Sequence, residues 1–278
     1  MGKSKHEKRK NKSGKPTMAE RADKHILYEK SVQCPETEID FIDATYRQVT
    51  GRRALTLRED FCGTANNSCE WVRRRNDNCA YGIDIDADVL EWGRQHHLSG
   101  LDKHQCARIH LIKSDVLRAK APPVDAVLAM NFSYFIFKDR ATMKRYFKQV
   151  HRGLKDDGVF FLDAFGGYEA FRVMEESTKY NGFTYVWDQA KYNPITGDGT
   201  FHIHFRFKDG SRLDEAFTYN WRVWTLPELT ELLDEAGFRA SVYWEGTDED
   251  GEGNGKYSPA VEGDADAGWV VYLVATKK

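Results

Sequence analysis

The residues Leu55-Thr-Leu-Arg-Glu-Asp-Phe-Cys-Gly-Thr-Ala65 bring carboxylates, a glycine and small polar groups to the end of an apolar run. They read as a buried strand entering a tight turn and then a helix, with Gly63 where the chain bends sharply and passes close to a ligand. Nineteen residues after Ala65 stands Asp84, near the end of a second run, Ala80-Tyr-Gly-Ile-Asp-Ile-Asp86. A glycine turn after one strand and an acid about 20 residues on is the geometry that holds a nucleoside, the acid accepting from ribose hydroxyls. A pyrophosphate needs several glycines so that backbone N–H groups can crowd round it. Here Phe61 occupies an earlier glycine position and only Gly63 remains. Glu59, with Asp60 beside it, repels phosphate and suits a cationic ligand.

The stretch resembles the first motif of class I S-adenosylmethionine (SAM) methyltransferases, an acid and a glycine followed by Cys-Gly-Thr-Gly. Cys62-Gly63-Thr64 stands as in that family and Glu59 takes the acidic place, while Phe61 and Ala65 depart from it and make the turn bulkier. SAM carries a sulfonium, an ammonium and a carboxylate but no phosphate, in keeping with the charges. The resemblance implies that Glu59 and Gly63, with Phe61 and Ala65 beside them, border the methionine moiety. It assigns Asp84 and the adjoining Ile85 to the ribose end, Asp115 with Val116 to adenine, and a backbone carbonyl of Asn131 to the ammonium. It names no catalytic base.

The elements expected to position these residues follow in order. Thr64 to Arg75 is a helix, Ala80–Ile85 a strand, and Asp86 the N-cap of the next helix, which leaves Asp84 for the ligand. Arg108–Lys113 is a third strand ending at Ser114-Asp115-Val116, where Asp115 is alternatively a plain helix cap. Val124–Met130 is almost continuously apolar, as in a central parallel strand covered on both faces. It ends in Asn131-Phe-Ser-Tyr134, at the edge where such sheets hold ligands. Asp139 caps a helix, and Val159–Asp163 is the fifth strand. This alternation predicts an α/β doubly wound, mostly parallel sheet, and the family resemblance makes it seven-stranded with an antiparallel last strand.

Residues 164–222 break the rhythm. Phe201–Phe207 alternates with period two, Lys208-Asp-Gly-Ser211 supplies a turn and Leu213–Trp221 runs back, which predicts an inserted antiparallel β-hairpin. His202 and His204 share a face of it without a third ligand motif, so no metal is expected. Thr225-Leu-Pro-Glu228 is a capping box, Gly237 a helix stop, Ala240–Trp244 a strand and 246–268 a mobile acidic loop before the last strand, Trp269–Thr276. The domain plan is thus a disordered basic tail over 1–17, an N-terminal helical lid over 18–54, and a SAM-binding domain over 55–278 with its insert. Tyr28 of the lid and Tyr134 are the candidate substrate-pocket residues.

With 278 residues, 41% of them apolar, seven Trp and a net charge of only −2, the chain has a sizeable core and no global field drawing it to nucleic acid. No run has membrane length and no signal peptide is evident, so a cytoplasmic protein without a membrane partner is expected. Five cysteines, odd in number and without a Cys-x-x-Cys pair, read as reduced thiols. An aromatic insert and a lid suit an enclosed pocket, so the expected partner is a small-molecule methyl acceptor. The alternatives are an RNA or protein methyltransferase, RNA being held by the basic tail, and a SAM-binding protein without turnover.

Overall fold

The computed structural model describes residues 15–251 and 253–278. The basic tail expected over 1–17 lies outside the described residues as far as residue 14. Thr17 is buried and caps the short helix α1 (Met18–Arg21) in a reciprocal capping box with Glu20.

Two compact units are present. One holds the chain up to Gln33 with Val173–Tyr192 and Gly199–Asn220, and the other holds Cys34–Arg172, Asn193–Asp198 and Trp221–Lys278. The stretch 18–54 therefore divides between them. Helix α2 (Lys24–Val32) ends at an extended Gln33, and Pro35 at the first position of α3 (Pro35–Thr50) starts a new helix where its missing N–H is harmless.

The larger unit is built on an eight-stranded sheet. Its strands are β1 (Thr56–Asp60), β2 (Cys79–Asp84), β3 (Ile109–Lys113), β4 (Val124–Ala129), β5 (Leu154–Gly166), β10 (Phe238–Thr247), β11 (Gly253–Ala260) and β12 (Trp269–Lys277), in the order β11-β10-β12-β5-β4-β1-β2-β3. The strands β3 to β5 in that order run parallel, and β12 enters antiparallel against β5. The sheet has eight strands where seven were expected, because β11 pairs with β10 inside the acidic stretch read as a loop. Nearly all of its side chains are exposed, so this edge strand carries no hydrophobic alternation to reveal it.

All six residues of β4 are buried, as a central strand covered on both faces requires. Alternate residues supply the two faces. Leu57, Leu128 and Phe161 join Ile39, Ile42 and Tyr46 of α3 and Trp71 and Val72 of α4 (Asn66–Arg74) in one cluster. The opposite residues take the other side, where Phe160 packs against Tyr146 and Phe147 of α7 (Arg140–Gly153) and against Phe238. Helices α5 (Ala87–His96), α6 (Lys103–Cys106) and α8 (Leu226–Glu235) complete the unit.

The smaller unit is a four-stranded antiparallel sheet where a two-stranded hairpin was expected. Its strands β6 (Met174–Lys179), β7 (Phe183–Asn193), β8 (Asp198–Phe207) and β9 (Arg212–Arg222) neighbour one another in chain order. Leu27 of α2 packs into it with Phe183, Ile203 and Phe205. His204, in its sheet, accepts the Glu215 N–H at Nδ1 and faces Asp188 through Nε2 at 3.2 Å, so both ring nitrogens are engaged within the unit. Among the described residues no helix is long and apolar enough to cross a membrane.

Candidate functional site

The chain order of the sheet reverses between β1 and β4, so the loops leaving these two strands diverge and open a crevice at their carboxyl ends. Backbone strain gathers at that edge. Phe61, Gly63 and Ala65 take φ of 59°, 52° and 61°, and Asn131 and Phe132, just beyond β4, take 57° and 55°. Left-handed backbone costs a residue with a side chain about 1–2 kcal/mol, so these turns persist because their surroundings hold them. A Cβ at Gly63 meets nothing within 4 Å, so conformation rather than crowding calls for glycine there and the backbone borders open space.

Asp84 ties the first turn to the second strand. One carboxylate oxygen accepts the Gly63 N–H at 2.8 Å and the other accepts the Asp86 N–H at 2.9 Å. Burial raises its pKa against these hydrogen bonds. Ile85 follows with 69% of its surface exposed, an apolar face beside a carboxylate. Asp86 accepts from Asp88 and Val89 N–H groups and is the cap of α5. The Ser114 N–H donates to the Asp84 carbonyl, which brings the end of β3 alongside. There Asp115 accepts the Leu117 N–H and Val116 is buried.

Glu59 points into the start of α4, whose own cap, Ala65, offers no side-chain acceptor. Oε2 of Glu59 takes the Ser68 N–H at 3.0 Å and the Ser68 hydroxyl at 2.6 Å, so the strand caps the helix. Burial pushes its carboxyl up to about 8, with the charges of Glu38 and Asp84 adding to the shift. Beside it, Asn67 donates to Glu38 at 2.7 Å, while its buried Oδ1 accepts nothing among the described residues. Several carboxylates and an orphaned acceptor form an environment for a cationic donor.

The second turn hangs from Asp163 of β5. Its two oxygens accept the N–H groups of Asn131 at 2.7 Å and Phe132 at 2.9 Å. Burial pushes this carboxyl up to about 7 even so. Tyr134 lies beneath: it is fully buried and its hydroxyl donates to the Asp163 carbonyl at 2.7 Å, so its phenol is core and does not line a cavity. Tyr28 belongs to the smaller unit, where its ring meets Phe217 at 4.9 Å. The carboxyl edge of β4, β1, β2 and β3 thus brings together Glu59, Phe61, Gly63, Ala65, Asp84, Ile85, Asp115, Val116 and Asn131, with Tyr134 in the core beneath them.

No family model matches the chain, and no curated protein does. Solved structures do resemble it. A SAM-dependent methyltransferase from Clostridium acetobutylicum superposes with a TM-score of 0.69 at 16% identity, over 91% of this chain and 97% of that one. The amino pentose methyltransferase CalS10 of Micromonospora echinaspora, with SAM bound, gives 0.66 at 17% identity over 91% and 96%. The sugar N-methyltransferase KedS8 of a Streptoalloteichus species gives 0.61 at 16% over 92% and 93%. The fold is that of the SAM-dependent methyltransferases.

Within that methyltransferase fold, Glu38, Asn67, Gly93 and Asp163 are parts of the site's framework that the sequence reading did not single out. Asp163 had a visible signal, a carboxylate closing an otherwise apolar strand. Asn67 is the second residue of α4, and a polar residue in the first turn of a buried helix is a weaker sign. Gly93 and Glu38 gave none, since each acts across elements far apart in sequence. A Cβ on Gly93 would stand 2.3 Å from the Thr64 carbonyl oxygen, so this glycine lets α5 press against the first turn.

Proposed function

We propose that the chain transfers the methyl group of SAM to a small-molecule amine. The observation that carries the reading is the turn 61–65 at the switch point, with Asp84 hydrogen-bonded to Gly63 and the carboxylate of Glu59 behind it. SAM supplies an electrophilic methyl carbon on a sulfonium. The residues of this chain bind, orient and neutralise. Asp84 accepts from the ribose hydroxyls with Ile85 against the nucleoside, Asp115 and Val116 border the base, and Glu59, Asn67 and the Asn131 carbonyl face the cationic end. Holding a nucleophile about 3 Å from the methyl carbon in line with the leaving sulfur supplies much of the acceleration. The nitrogen lone pair forms the new bond, the carbon–sulfur pair returns to sulfur, and one N–H proton leaves to solvent.

Support for an amine comes from the larger unit. Phe41 stacks on Tyr272 at 4.4 Å, and Tyr257 meets Tyr272 at 4.6 Å and donates to Glu245 at 3.3 Å. Burial raises the phenol of Tyr272, and the charges of Glu38, Asp163 and Glu245 add to the shift. Aromatic faces among carboxylates favour a cation or its conjugate amine. Two of the neighbouring folds bear names of enzymes acting on an amino pentose and on a sugar nitrogen. The test is S-adenosylhomocysteine formation from SAM with a panel of small amines and matched alcohols. Turnover with amines is the expected result; turnover confined to alcohols, or none with any acceptor despite SAM binding, would overturn the reading.

A further inference from the structure

At the carboxyl edge of the larger unit, one polar group is left unused by the framework. Tyr272 of β12 is half-buried, and its hydroxyl forms no hydrogen bond among the described residues. Nearby phenols are engaged: Tyr134 donates to the Asp163 carbonyl at 2.7 Å and Tyr257 to Glu245 at 3.3 Å. The Tyr272 ring is nonetheless held on two sides. Phe41 of α3 stacks on it at 4.4 Å, with 24° between the planes, and Tyr257 meets it edge-on at 4.6 Å. These contacts fix the ring without calling on its hydroxyl.

The sheet register sets where that ring stands. Tyr272 pairs with Asp163 of β5 on one side and with Tyr243 of β10 on the other. Residues directly opposite one another in a ladder share a face. Tyr272 therefore rises beside the carboxylate that accepts the Asn131 and Phe132 N–H groups at 2.7 and 2.9 Å. Helix α3 covers the same face: Phe41 lies on the ring, and Glu38, one turn earlier, accepts from Asn67 of α4 at 2.7 Å. Two lines of contact thus lead from Tyr272 to the crevice, one through Asp163 to the 131–132 turn and one through Glu38 and Asn67 to the helix that follows the 61–65 turn. Burial, reinforced by the charges of Glu38, Asp163 and Glu245, keeps the phenol protonated, so its oxygen is an acceptor rather than a base.

From this arrangement we propose that the Tyr272 hydroxyl orients the acceptor nitrogen, taking a hydrogen bond from an N–H of the neutral amine and leaving the lone pair turned toward the methyl carbon. The inference rests on the methyl-transfer reading and deepens it, because it makes an N–H on the acceptor a requirement. A primary or secondary amine has both the N–H and the lone pair, whereas a tertiary amine has the lone pair alone. Alignment of that kind is what an in-line displacement demands. Tyr272 exchanges no atom in the step: the lone pair forms the nitrogen–carbon bond, the carbon–sulfur pair returns to sulfur, and the proton that leaves comes from the nitrogen.

The experiment is steady-state S-adenosylhomocysteine formation by the full chain and by Tyr272→Phe, which keeps the ring and removes only the hydroxyl. The acceptors are D-glucosamine, benzylamine, N-methylbenzylamine and N,N-dimethylbenzylamine, with SAM calorimetry and thermal melting on both proteins. Tyr272→Phe is expected to melt no lower than the wild type, to bind SAM equally well, and to lose at least about tenfold in kcat/KM on the amine the wild type turns over fastest, the scale of one aligned hydrogen bond. That loss is expected to be the same at every pH below about 10, where a phenol that only orients does not titrate. N,N-dimethylbenzylamine is expected not to react. Wild-type kcat/KM in Tyr272→Phe, a pH limb that disappears with the hydroxyl, a lower melting temperature accompanying the kinetic loss, or turnover of the tertiary amine would each overturn the inference and leave methyl transfer standing. A wild type that binds SAM and turns over none of the amines would remove both.

Discussion

Asp163 holds two backbone N–H groups with one side chain, and an amide cannot do the same. In Asp163→Asn the carbonyl accepts one N–H and the NH₂ faces the other as a second donor. Leaving a buried donor unmade costs about 1–3 kcal/mol. The expected outcome is that loss of unfolding free energy in urea, with the strained Asn131–Phe132 turn relaxing and SAM affinity falling with it. Unchanged stability would mean that the turn does not depend on the carboxylate. The buried acids also fix a pH dependence. Glu59 rises from its ordinary 4.5 to about 8 and Asp163 from 3.8 to about 7, both chiefly by burial. Across those windows the folded chain keeps protons that the unfolded chain has released, so both contributions are fully present below the ordinary values and are lost as pH rises through the folded ones. Asp125, which accepts from Leu55, Thr56, Arg52 and Lys155, has its pKa lowered and acts the other way, losing its contribution in acid. The ligand-free protein is therefore expected to lose stability as pH rises from the ordinary carboxyl values, 3.8 and 4.5, to about 8, and Glu59→Gln to flatten part of that slope. A urea midpoint that climbs over this range would contradict the assignment.

Between elements, two contacts hold the crevice and its support. Gly93→Ala places a methyl against the Thr64 carbonyl, so either α5 or the 61–65 turn must move. Such overpacking costs about 1–3 kcal/mol, and because the displaced atoms belong to the turn, SAM affinity is expected to fall alongside the melting temperature. A variant that melts lower yet binds SAM normally would show that the helix yields and the turn does not. On the opposite face of β1, Arg58 pairs with Asp60 at 2.8 Å, both buried, and Tyr146 of α7 donates to Asp60 at 3.0 Å. Removing Arg58 alone strands the acid, at a cost of about 3–5 kcal/mol. Arg58→Met is expected to show that loss in denaturant, and Arg58→Met/Asp60→Leu to recover most of it; equal losses in both would mean the pair is not coupled.

The elements differ in how openly their residues announce them. The 61–65 turn was legible because glycine, carboxylate and apolar run stand together within a few residues, and the central strand β4 because its burial on both faces leaves no polar break. The β8 and β9 strands alternated with period two, but β6, Met174-Glu-Glu-Ser-Thr-Lys179, exposes nearly every side chain and so has no pattern. Gly93 was silent for a different reason: its role lies in the approach of one helix to a distant turn, and a lone glycine in a helix has many explanations. Tyr134 looked available at the end of β4, yet the left-handed step at Asn131 and Phe132 turns the chain so that the phenol faces the core.

For the molecule as a whole, the parts of the larger unit meet at one edge: a reversal of strand order, two strained turns, acids that burial keeps partly protonated, and an exposed Ile85 between them. Binding of a cation there draws Glu59 toward its ionised form, so at neutral pH it is coupled to proton release. The decisive measurement is calorimetric titration with SAM, S-adenosylhomocysteine and NAD, on the wild type and on Asp84→Ala, each shown to be folded. The expected result is saturable binding of SAM and S-adenosylhomocysteine, at least about tenfold weaker in Asp84→Ala because charge-assisted hydrogen bonds to the nucleoside are lost, and no binding of NAD. A folded wild type that binds neither SAM nor S-adenosylhomocysteine, or that prefers NAD, would contradict it.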